Sequence, residues 1–273
     1  MQNVIKKYAV QHPLLKRYVK FFWEIHADFM KLDHKIIPVR NIDLKFNLSD
    51  TPHYVCTNGR EYLLEQVYFA GLRDHFTNSY LKLNGKVHVL GVCFLPEGLF
   101  AFLKIPVSEF KNQILGASEV GFDRATAIQQ RLTGVPDVAA RLNIIENELL
   151  SILDNNQHIP ESFRRLFNAL KQNNNSLQLD KFCLQNNISK RKLERMYNKY
   201  VGVSAKTYAI IDRFQNSLNQ LLYKSYDKLS DIAYGNEYFD QMHFIREFKR
   251  FAGNTPKSFL HQNDSMLQIG KLV

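Results

Sequence analysis

Basic residues recur at matched positions in two segments of the chain, 189–208 and 240–259. The first segment reads SKRKLERMYNKYVGVSAKTY, and the second reads DQMHFIREFKRFAGNTPKSF. Arg195 in the first segment corresponds to Arg246 in the second. Arginine forms bidentate hydrogen bonds with guanine edges and with phosphates. Two basic segments of the same design therefore suggest a protein that contacts one polyanion twice.

The first segment has the features of a capped amphipathic helix. Ser189 is a good N-cap, and Gly202 suits the left-handed position that ends a helix. Ser204 is placed to cap the helix that follows. Upstream, LDKFCLQ predicts a short helix, and Asn187 tolerates the left-handed backbone of a tight turn. The apolar stripe at i, i+4 and i+7 consists of Leu193, Tyr197 and Tyr200.

The second segment repeats these steps. We expect Ser230 to cap the short helix SDIAYGNE and a turn to follow near Glu237. Asp240 is the predicted N-cap of the basic helix, and Gly253 its predicted end. Thr255 is placed to cap a last turn that begins with Pro256. The apolar stripe consists of Phe244, Phe248 and Phe251.

The stretch between the two segments, SAKTYAIIDRFQNSLNQLLYK, predicts a helix of about 19 residues, roughly 28 Å long. This length is close to the ~34 Å between successive major grooves on one face of DNA. A helix, a tight turn and a basic capped helix form a helix-turn-helix. The pattern therefore predicts two recognition helices, 189–200 and 240–251, that read two turns of one duplex.

The same residues resemble the AraC/XylS family of bacterial transcription regulators. The resemblance covers about 110 residues and rests on DIAYGNEYFDQMHFIREFKRFAGNTPKSF and ISKRKLERMYNKYVGVSAKTY. It implies a cytoplasmic, nucleoid-associated activator that is not an enzyme, with RNA polymerase as a further partner. Glu237 and Tyr238 depart from the family's Gly-Phe, which suggests either a reshaped second turn or a reduced DNA affinity of that half. Cys183 replaces a usual alanine.

The resemblance also implies which side chains contact DNA. The base-reading residues are expected to be Lys190, Arg191, Glu194, Arg195, Gln241, Met242 and Arg246. The phosphate-binding residues are expected to be Lys192, Lys199, Lys249 and Arg250. Arginine and lysine suit guanine, glutamate suits cytosine, glutamine suits adenine, and methionine suits a thymine methyl group. The alternative is a solvated charge or, for Arg195 and Arg246, a salt bridge to the preceding helix.

Charge is unevenly distributed along the chain, whose formal net charge is +10. Residues 160–273 contain 18 Lys+Arg against 10 Asp+Glu, whereas residues 1–159 contain 18 against 16. The surplus therefore belongs to the C-terminal half, and it fits either a polyanion partner or a solvated basic face. The helix-turn-helix pattern, rather than the charge, identifies double-stranded DNA as the expected partner.

The fold class expected from the sequence is α+β with two domains. Residues 1–157 are predicted to be β-rich with flanking helices, because 36–95 reads as short strands. The family resemblance implies that they form a jelly-roll-like sensor or dimerisation domain. Phrases such as IIPVRNIDLKFNL also resemble the family's sensor domains, which implies a small-molecule effector. Residues 158–273 are predicted to form an all-α domain of seven helices.

The predicted helix 136–154 has apolar residues spaced 4, 3, 4, 3 along the chain. These residues are Val138, Leu142, Ile145, Leu149 and Ile152. The spacing fits a coiled-coil seam between two subunits, and it fits equally a helix packed on its own domain. A homodimer through residues 1–157 is one expectation from this pattern.

Other function classes receive less support from the sequence. The histidines at 12, 26, 34, 53, 75 and 88 show no metal-binding spacing, so we expect no metal and no cofactor. No run reaches the ~18 apolar residues of a membrane span. The three cysteines suggest reduced thiols. Two rival hypotheses are an enzyme that uses a nucleophilic cysteine, fused to DNA-binding helices, and a sequence-independent architectural protein.

Overall fold

The computed structural model describes residues 5–153, 159–172, 179–223 and 226–262. An antiparallel sheet comes first along the chain, and helices follow. The sheet contains β1 (Ile5–Tyr8), β2 (Val19–Lys35), β3 (Asp43–Asn47), β4 (Tyr54–Thr57), β5 (Arg60–Leu63), β6 (Val67–Ala70), β7 (Ser79–Phe94) and β8 (Ile114–Gly116). The predicted α+β class with a β-rich N-terminal part is confirmed.

Two long strands form the centre of the sheet. β2 pairs with β7 from Val19 opposite Phe94 to Lys35 opposite Tyr80, with an irregularity between Ala27 and Met30. The main path of the sheet runs β1-β2-β7-β3-β6-β8, and the hairpin β4–β5 pairs with the other end of β7. The expectation of short strands within 36–95 was therefore too narrow, because β1 and β2 precede that region and β7 has 16 residues.

The two faces of the sheet bury different sets of side chains. One face belongs to the main core, through residues such as Phe22, Leu44 and Phe69. The opposite face forms a smaller apolar cluster that includes Trp23 and Val89. Side chains of successive strand residues point to opposite faces, so Phe22 and Trp23 enter different cores.

Three helices pack on the sheet before the C-terminal region begins. They are α1 (Phe100–Leu103), α2 (Ala125–Thr133) and α3 (Val138–Ile152). In α3 the side chains of Ile145 and Leu149 are 1% and 3% exposed within the main core. The middle of the 4-3-4-3 pattern is therefore buried within its own chain. This agrees with the second interpretation, a helix packed on its own domain. A short 3-10 helix, Val107–Phe110, lies between α1 and β8.

Seven helices follow among the described residues, as predicted. They are α4 (Glu161–Gln172), α5 (Leu179–Gln185), α6 (Lys190–Tyr200), α7 (Ala205–Leu222), α8 (Leu229–Gly235), α9 (Gln241–Ala252) and α10 (Pro256–Gln262). The spacer α7 has 18 residues and is therefore about 27 Å long. Its buried residues include Phe214 and Leu218.

The helical region packs directly against the sheet region. Arg40 forms an ion pair with Asp212 of α7, and the buried Gln215 donates a hydrogen bond to the carbonyl of Pro38 at 3.1 Å. Near the end of α6, the ring of Tyr200 meets that of Phe100 edge-on, with centroids 5.0 Å apart.

Candidate nucleic-acid interface

The first helix-turn-helix consists of α5, a tight turn and α6. Asn187 adopts the left-handed backbone expected of it, at φ 49°. The turn closes through the amide of Ile188, which donates to the carbonyl of Cys183 at 3.1 Å. The hydroxyl of Ser189 accepts from the amide of Lys192 at 3.3 Å, so the predicted N-cap is confirmed. Gly202 follows α6 at φ 92°.

The second helix-turn-helix repeats this geometry with α8 and α9. Glu237 takes the left-handed position at φ 58°, and the amide of Tyr238 donates to Ala233 at 3.0 Å. Despite its departure from Gly-Phe, this turn has the same conformation as the first. Asp240 accepts from the amide of His243 at 2.6 Å, and Gly253 ends α9 at φ 75°.

One predicted cap was wrong. Helix α8 begins at Leu229, one residue before Ser230. The carboxylate of Asp231 reaches back and accepts from the amides of Asp227 and Lys228, at 3.2 and 2.7 Å. A carboxylate is a strong acceptor and favours a helix N-terminus electrostatically, so Asp231, in the first turn, stabilises the start of α8 without a cap from Ser230.

A matched pair of asparagines, which the sequence comparison missed, supports both turns. The side-chain amide of Asn186 donates to the carbonyl of Phe182 at 2.9 Å, and that of Asn236 donates to Ile232 at 2.8 Å. These bonds satisfy carbonyls at the C-terminal ends of α5 and α8. The signal was present in the sequence, because asparagine immediately precedes the left-handed residue in both copies.

Nearly all of the predicted contact residues lie on the surface. Those that are exposed are Lys190, Arg191, Lys192, Arg195, Lys199, Gln241, Met242, Arg246, Lys249 and Arg250, whereas Glu194 is half-buried. The structure therefore places a cationic, accessible surface on each recognition helix, opposite the buried stripe.

The proposed salt-bridge alternative is realised at a different residue. Lys190 lies 3.0 Å from Asp180 of α5, and this hydrogen bond raises the pKa of the lysine. Arg195 and Arg246 form no ion pair with any other residue in the described ranges. Lys199 lies over the ring of Phe100, with its Nζ 5.0 Å from the centroid.

The buried stripes attach the recognition helices to the bundle through aromatic contacts. In the first unit, the ring of Tyr197 meets that of Phe163 of α4 at 5.5 Å between centroids. In the second unit, Phe248 and Phe251 lie 5.4 and 5.0 Å from Phe214 of the spacer helix. These contacts hold each helix with its polar face outward.

The second unit has an additional buried ion pair that the sequence analysis did not predict. The guanidinium of Arg213 on α7 donates to both carboxylate oxygens of Glu247 on α9, with Nε to Oε1 at 3.0 Å. Arg213 also lies over the ring of Tyr238, 4.4 Å from its centroid. At the matched position, the first unit has the apolar Met196.

A second candidate site is a cavity of about 170 Å³ on the face of the sheet that carries Trp23 and Val89. Its apolar wall comes chiefly from Trp23, Ile25, Leu32, Leu83, Val87 and Val89. Its polar lining includes Asp43, Lys45, His34 and His53. The C-terminal region closes one side through Leu218 and Leu222 of α7 and Phe259 of α10.

The polar groups of the cavity have perturbed protonation. Burial lowers the pKa of His34 and of His53 to about 4, and the charge of Lys45 adds to both shifts. Burial raises the pKa of Asp43 and lowers that of Lys45. Neither His34 Nδ1 nor His53 Nε2 has a hydrogen-bond partner within the described part of the chain. The residues that line the cavity therefore include two imidazoles that are neutral at pH 7, each with a ring nitrogen that has no hydrogen-bond partner within the described residues.

The two buried thiols, Cys93 and Cys183, do not resemble nucleophiles. Burial raises the pKa of Cys93 well above its ordinary value, and burial also raises that of Cys183. A catalytic cysteine needs the opposite shift. Among the residues that the structure describes, no cluster of three or more His, Cys, Asp or Glu could hold a metal ion. No described helix is long and apolar enough to cross a membrane.

Comparison with known families places both turn units in one domain. A helix-turn-helix domain family matches residues 183–262, a range that includes both recognition helices and the spacer. This match supports the resemblance to the AraC/XylS family that the sequence motifs indicated. A helix-turn-helix domain of this kind makes the protein a DNA-binding transcription regulator. Residues 11–116 match a domain of unknown function, DUF6597.

Solved structures match the chain at low similarity. ToxT from Vibrio cholerae is 9% identical, with 88% of this chain and 98% of that chain covered and a TM-score of 0.46. ToxT bound to an unsaturated fatty acid is 10% identical, with coverage of 89% and 95% and a TM-score of 0.43. The AraC-like activator CuxR is 12% identical, with coverage of 80% and 88% and a TM-score of 0.25. No curated protein matches the chain.

Proposed function

We propose that this regulator docks α6 and α9 in successive major grooves of one DNA duplex. The observation that carries the proposal is the duplicated unit itself. In both copies a left-handed turn and a side-chain N-cap precede a recognition helix, and a glycine of positive φ follows it. The apolar stripe of each helix is buried and its cations are exposed. The 27 Å spacer is of the length needed to reach the next groove.

Within this proposal, the residues exposed on the first half of each helix read bases. Arg195 and Arg246 are the strongest candidates, because each is exposed and neither has an ion-pair partner among the described residues. Lys192, Lys249 and Arg250 bind phosphates and set the position of the helices on the duplex. Lys199 is assigned the same role from its place at the C-terminal end of α6.

Selection of bound sites from a random DNA pool tests the proposal. We expect a site with two conserved clusters about one helical turn apart. Arg195→Ala and Arg246→Ala should each weaken binding by ~1–3 kcal/mol and relax the preference within one cluster only. Arg60→Ala, which removes an exposed cation from β5, is the matched control. A pool with no enriched sequence would instead indicate an architectural DNA-binding protein.

We also propose that the cavity binds a small effector. At about 170 Å³, it is slightly larger than a cavity of ~150 Å³ that admits benzene. Its apolar wall suits an aromatic ring or a short aliphatic chain. The imidazole nitrogens of His34 and His53, together with Lys45, suit one polar or acidic group attached to that ring or chain.

The position of the cavity supports a link between effector and DNA. Its lining includes Leu222 on the spacer helix and Phe259 on α10, so an occupant contacts both regions of the chain. The cavity-lining segment around Arg73 continues into Leu72, which packs on Gly202 at the end of α6. An occupant is therefore positioned to shift a recognition helix.

A panel of small aromatic and aliphatic acids and their neutral analogues, scored by thermal shift of the full chain, tests the effector proposal. We expect a stabilising ligand whose effect is lost in Lys45→Met and kept in Lys86→Met, an exposed lysine on β7 of the same sheet. Ligand binding that does not change DNA affinity would refute the link to α6.

The finer regulatory assignments remain proposals. We propose a homodimer that assembles through residues 1–157, using a surface other than the Ile145 and Leu149 row, which is buried in its own chain. Domain division near residue 157, activation through contact with RNA polymerase and a location at the nucleoid follow from the family resemblance. Mass photometry of the full chain with and without its selected DNA tests the oligomeric state.

A further inference from the structure

The two recognition helices begin with different chemistry. Helix α6 begins with Lys190, Arg191 and Lys192, whereas the matched residues of α9 are Gln241, Met242 and His243. None of the latter three carries the fixed positive charge of lysine or arginine. The cations of α9 lie farther along, from Arg246 onward.

The second unit also contains one residue more than the first between its turn and its recognition helix. In the first unit only Ile188 separates the left-handed Asn187 from the N-cap. In the second unit Tyr238 and Phe239 both separate Glu237 from the N-cap. The additional residue, Phe239, is 87% exposed.

Phe239 has no role in the core. An apolar residue just before an N-cap commonly packs on the fourth helical residue, which here is Phe244. That position is taken, because Tyr238 packs on Phe244 with ring centroids 5.3 Å apart. The amide of Phe239 donates to His243 Nδ1 at 3.3 Å, which holds the residue beside the first turn of α9.

Phe239 is not the only apolar side chain exposed there. Met242, on the first turn of α9, is 59% exposed. Neighbouring exposed apolar side chains, unlike isolated ones, mark an interaction site. Phe239 and Met242 both lie at the N-terminal end of α9. In the proposed function this is the end of the helix that enters the groove.

We propose that Phe239 and Met242 are specificity-determining residues that contact thymine methyl groups, so that α9 selects a thymine-containing half-site. The 5-methyl group of thymine is the apolar feature of the major groove, and phenylalanine is among the side chains that contact it. Helix α6, with three cations at its start, selects guanine instead. This inference rests on the proposed function and adds the chemistry of one half-site.

Replacing thymine by uracil in the selected site tests the inference, because uracil lacks only the methyl group. Each replacement in the α9 half should weaken binding about fourfold, the factor that burial of one methyl group supplies. Replacements in the α6 half should have no effect. Phe239→Ala and Met242→Ala should each abolish the sensitivity at one position. Phe29→Ala, which removes a phenylalanine 69% exposed on β2, should preserve it.

The outcomes separate this inference from the proposed function. Sequence-selective binding that is indifferent to uracil everywhere would overturn the inference and leave the proposed function intact. Loss of all selectivity would overturn the proposed function. Unchanged uracil sensitivity in both variants, with transcription impaired, would assign Phe239 and Met242 to a protein partner and also overturn the inference. Thermal unfolding of each variant shows that it remains folded.

Discussion

The two helix-turn-helix units share a scaffold and differ in how their recognition helices are anchored. In the first unit the side of α6 that faces the bundle is apolar or aromatic, with Met196 where the second unit has Glu247. In the second unit α9 is tied to the spacer helix by the buried pair of Arg213 and Glu247. The cap positions and the left-handed turns are therefore alike in the two units, whereas the residues that pack behind each recognition helix differ.

The units also differ in their contacts with the sheet region. Gly202, after α6, lies against the backbone carbonyl of Val107. Gly253, after α9, lies against the side chains of Phe76 and Lys35. The first helix therefore ends against rigid backbone and the second against side chains that can move. A backbone contact transmits displacement more directly than a flexible side chain does.

The largest expected difference concerns the anchoring ion pair. Glu247→Ala leaves Arg213 buried without its partner and should lower the free energy of unfolding by about 3–5 kcal/mol. Met196→Ala, at the matched position of a half-buried apolar side chain, should cost about 1–2 kcal/mol. Urea unfolding of the full chain measures both. Equal losses of unfolding free energy in the two variants would show that the ion pair behind α9 contributes no more than the apolar packing of Met196 behind α6.

The glycines at the helix ends should respond next most strongly. Gly202→Ala places a Cβ 2.8 Å from the carbonyl oxygen of Val107 at φ 92°, so we expect a loss of about 2–4 kcal/mol. Gly253→Ala meets only movable side chains and should cost about 1–2 kcal/mol, mainly from its left-handed backbone. Thermal unfolding ranks the two variants, and the reverse order would contradict the assigned contacts.

Exchange of residue types at the start of the helices should change specificity. Arg191→Met removes a proposed guanine contact and should weaken binding to the selected site by about 1–3 kcal/mol. Met242→Arg, at the matched position, should shift the preferred base of its own half-site from thymine towards guanine. Repeated selection with each variant measures the change. A shift in the opposite half-site would reverse the assignment of helices to grooves.

The smallest expected effect is on the salt dependence of binding. Lys192→Ala should lower the slope of log K against log salt by about 0.9, since one phosphate contact is lost. Met242→Ala should weaken binding without altering the slope, because it removes an apolar contact. Titrations between 50 and 200 mM salt separate the two variants. Identical slopes for Lys192→Ala and the wild type would remove Lys192 from the phosphate set.

Local signals made most of the helical region predictable. Ser189, Asp240, Gly202 and Gly253 act through bonds to residues close in sequence, so each cap and stop could be read from the chain. The exception is Ser230, because helix α8 begins one residue earlier and the carboxylate of Asp231 bonds the amide of Lys228 at the helix start. Exposure of the contact residues followed from the helical period of the buried stripe.

Long-range contacts were not predictable in the same way. The pairing of β2 with β7 joins residues about 45 to 75 positions apart in sequence, and no local pattern specifies it. The cavity is formed by residues of several strands together with residues of α7 and α10, so it depends on how elements distant in sequence pack together. The ion pair of Arg213 and Glu247 joins separate helices, so each residue alone read as an ordinary surface charge.

Interference footprinting on the selected DNA tests the central claim most directly. Guanine N7 methylation and thymine-to-uracil replacement, scored together for the wild-type chain, locate each major-groove contact. The account predicts two patches on one face of the duplex, 10–10.5 base pairs apart, with guanine interference in one and uracil interference in the other. A single patch, or two patches half a turn apart, would contradict it.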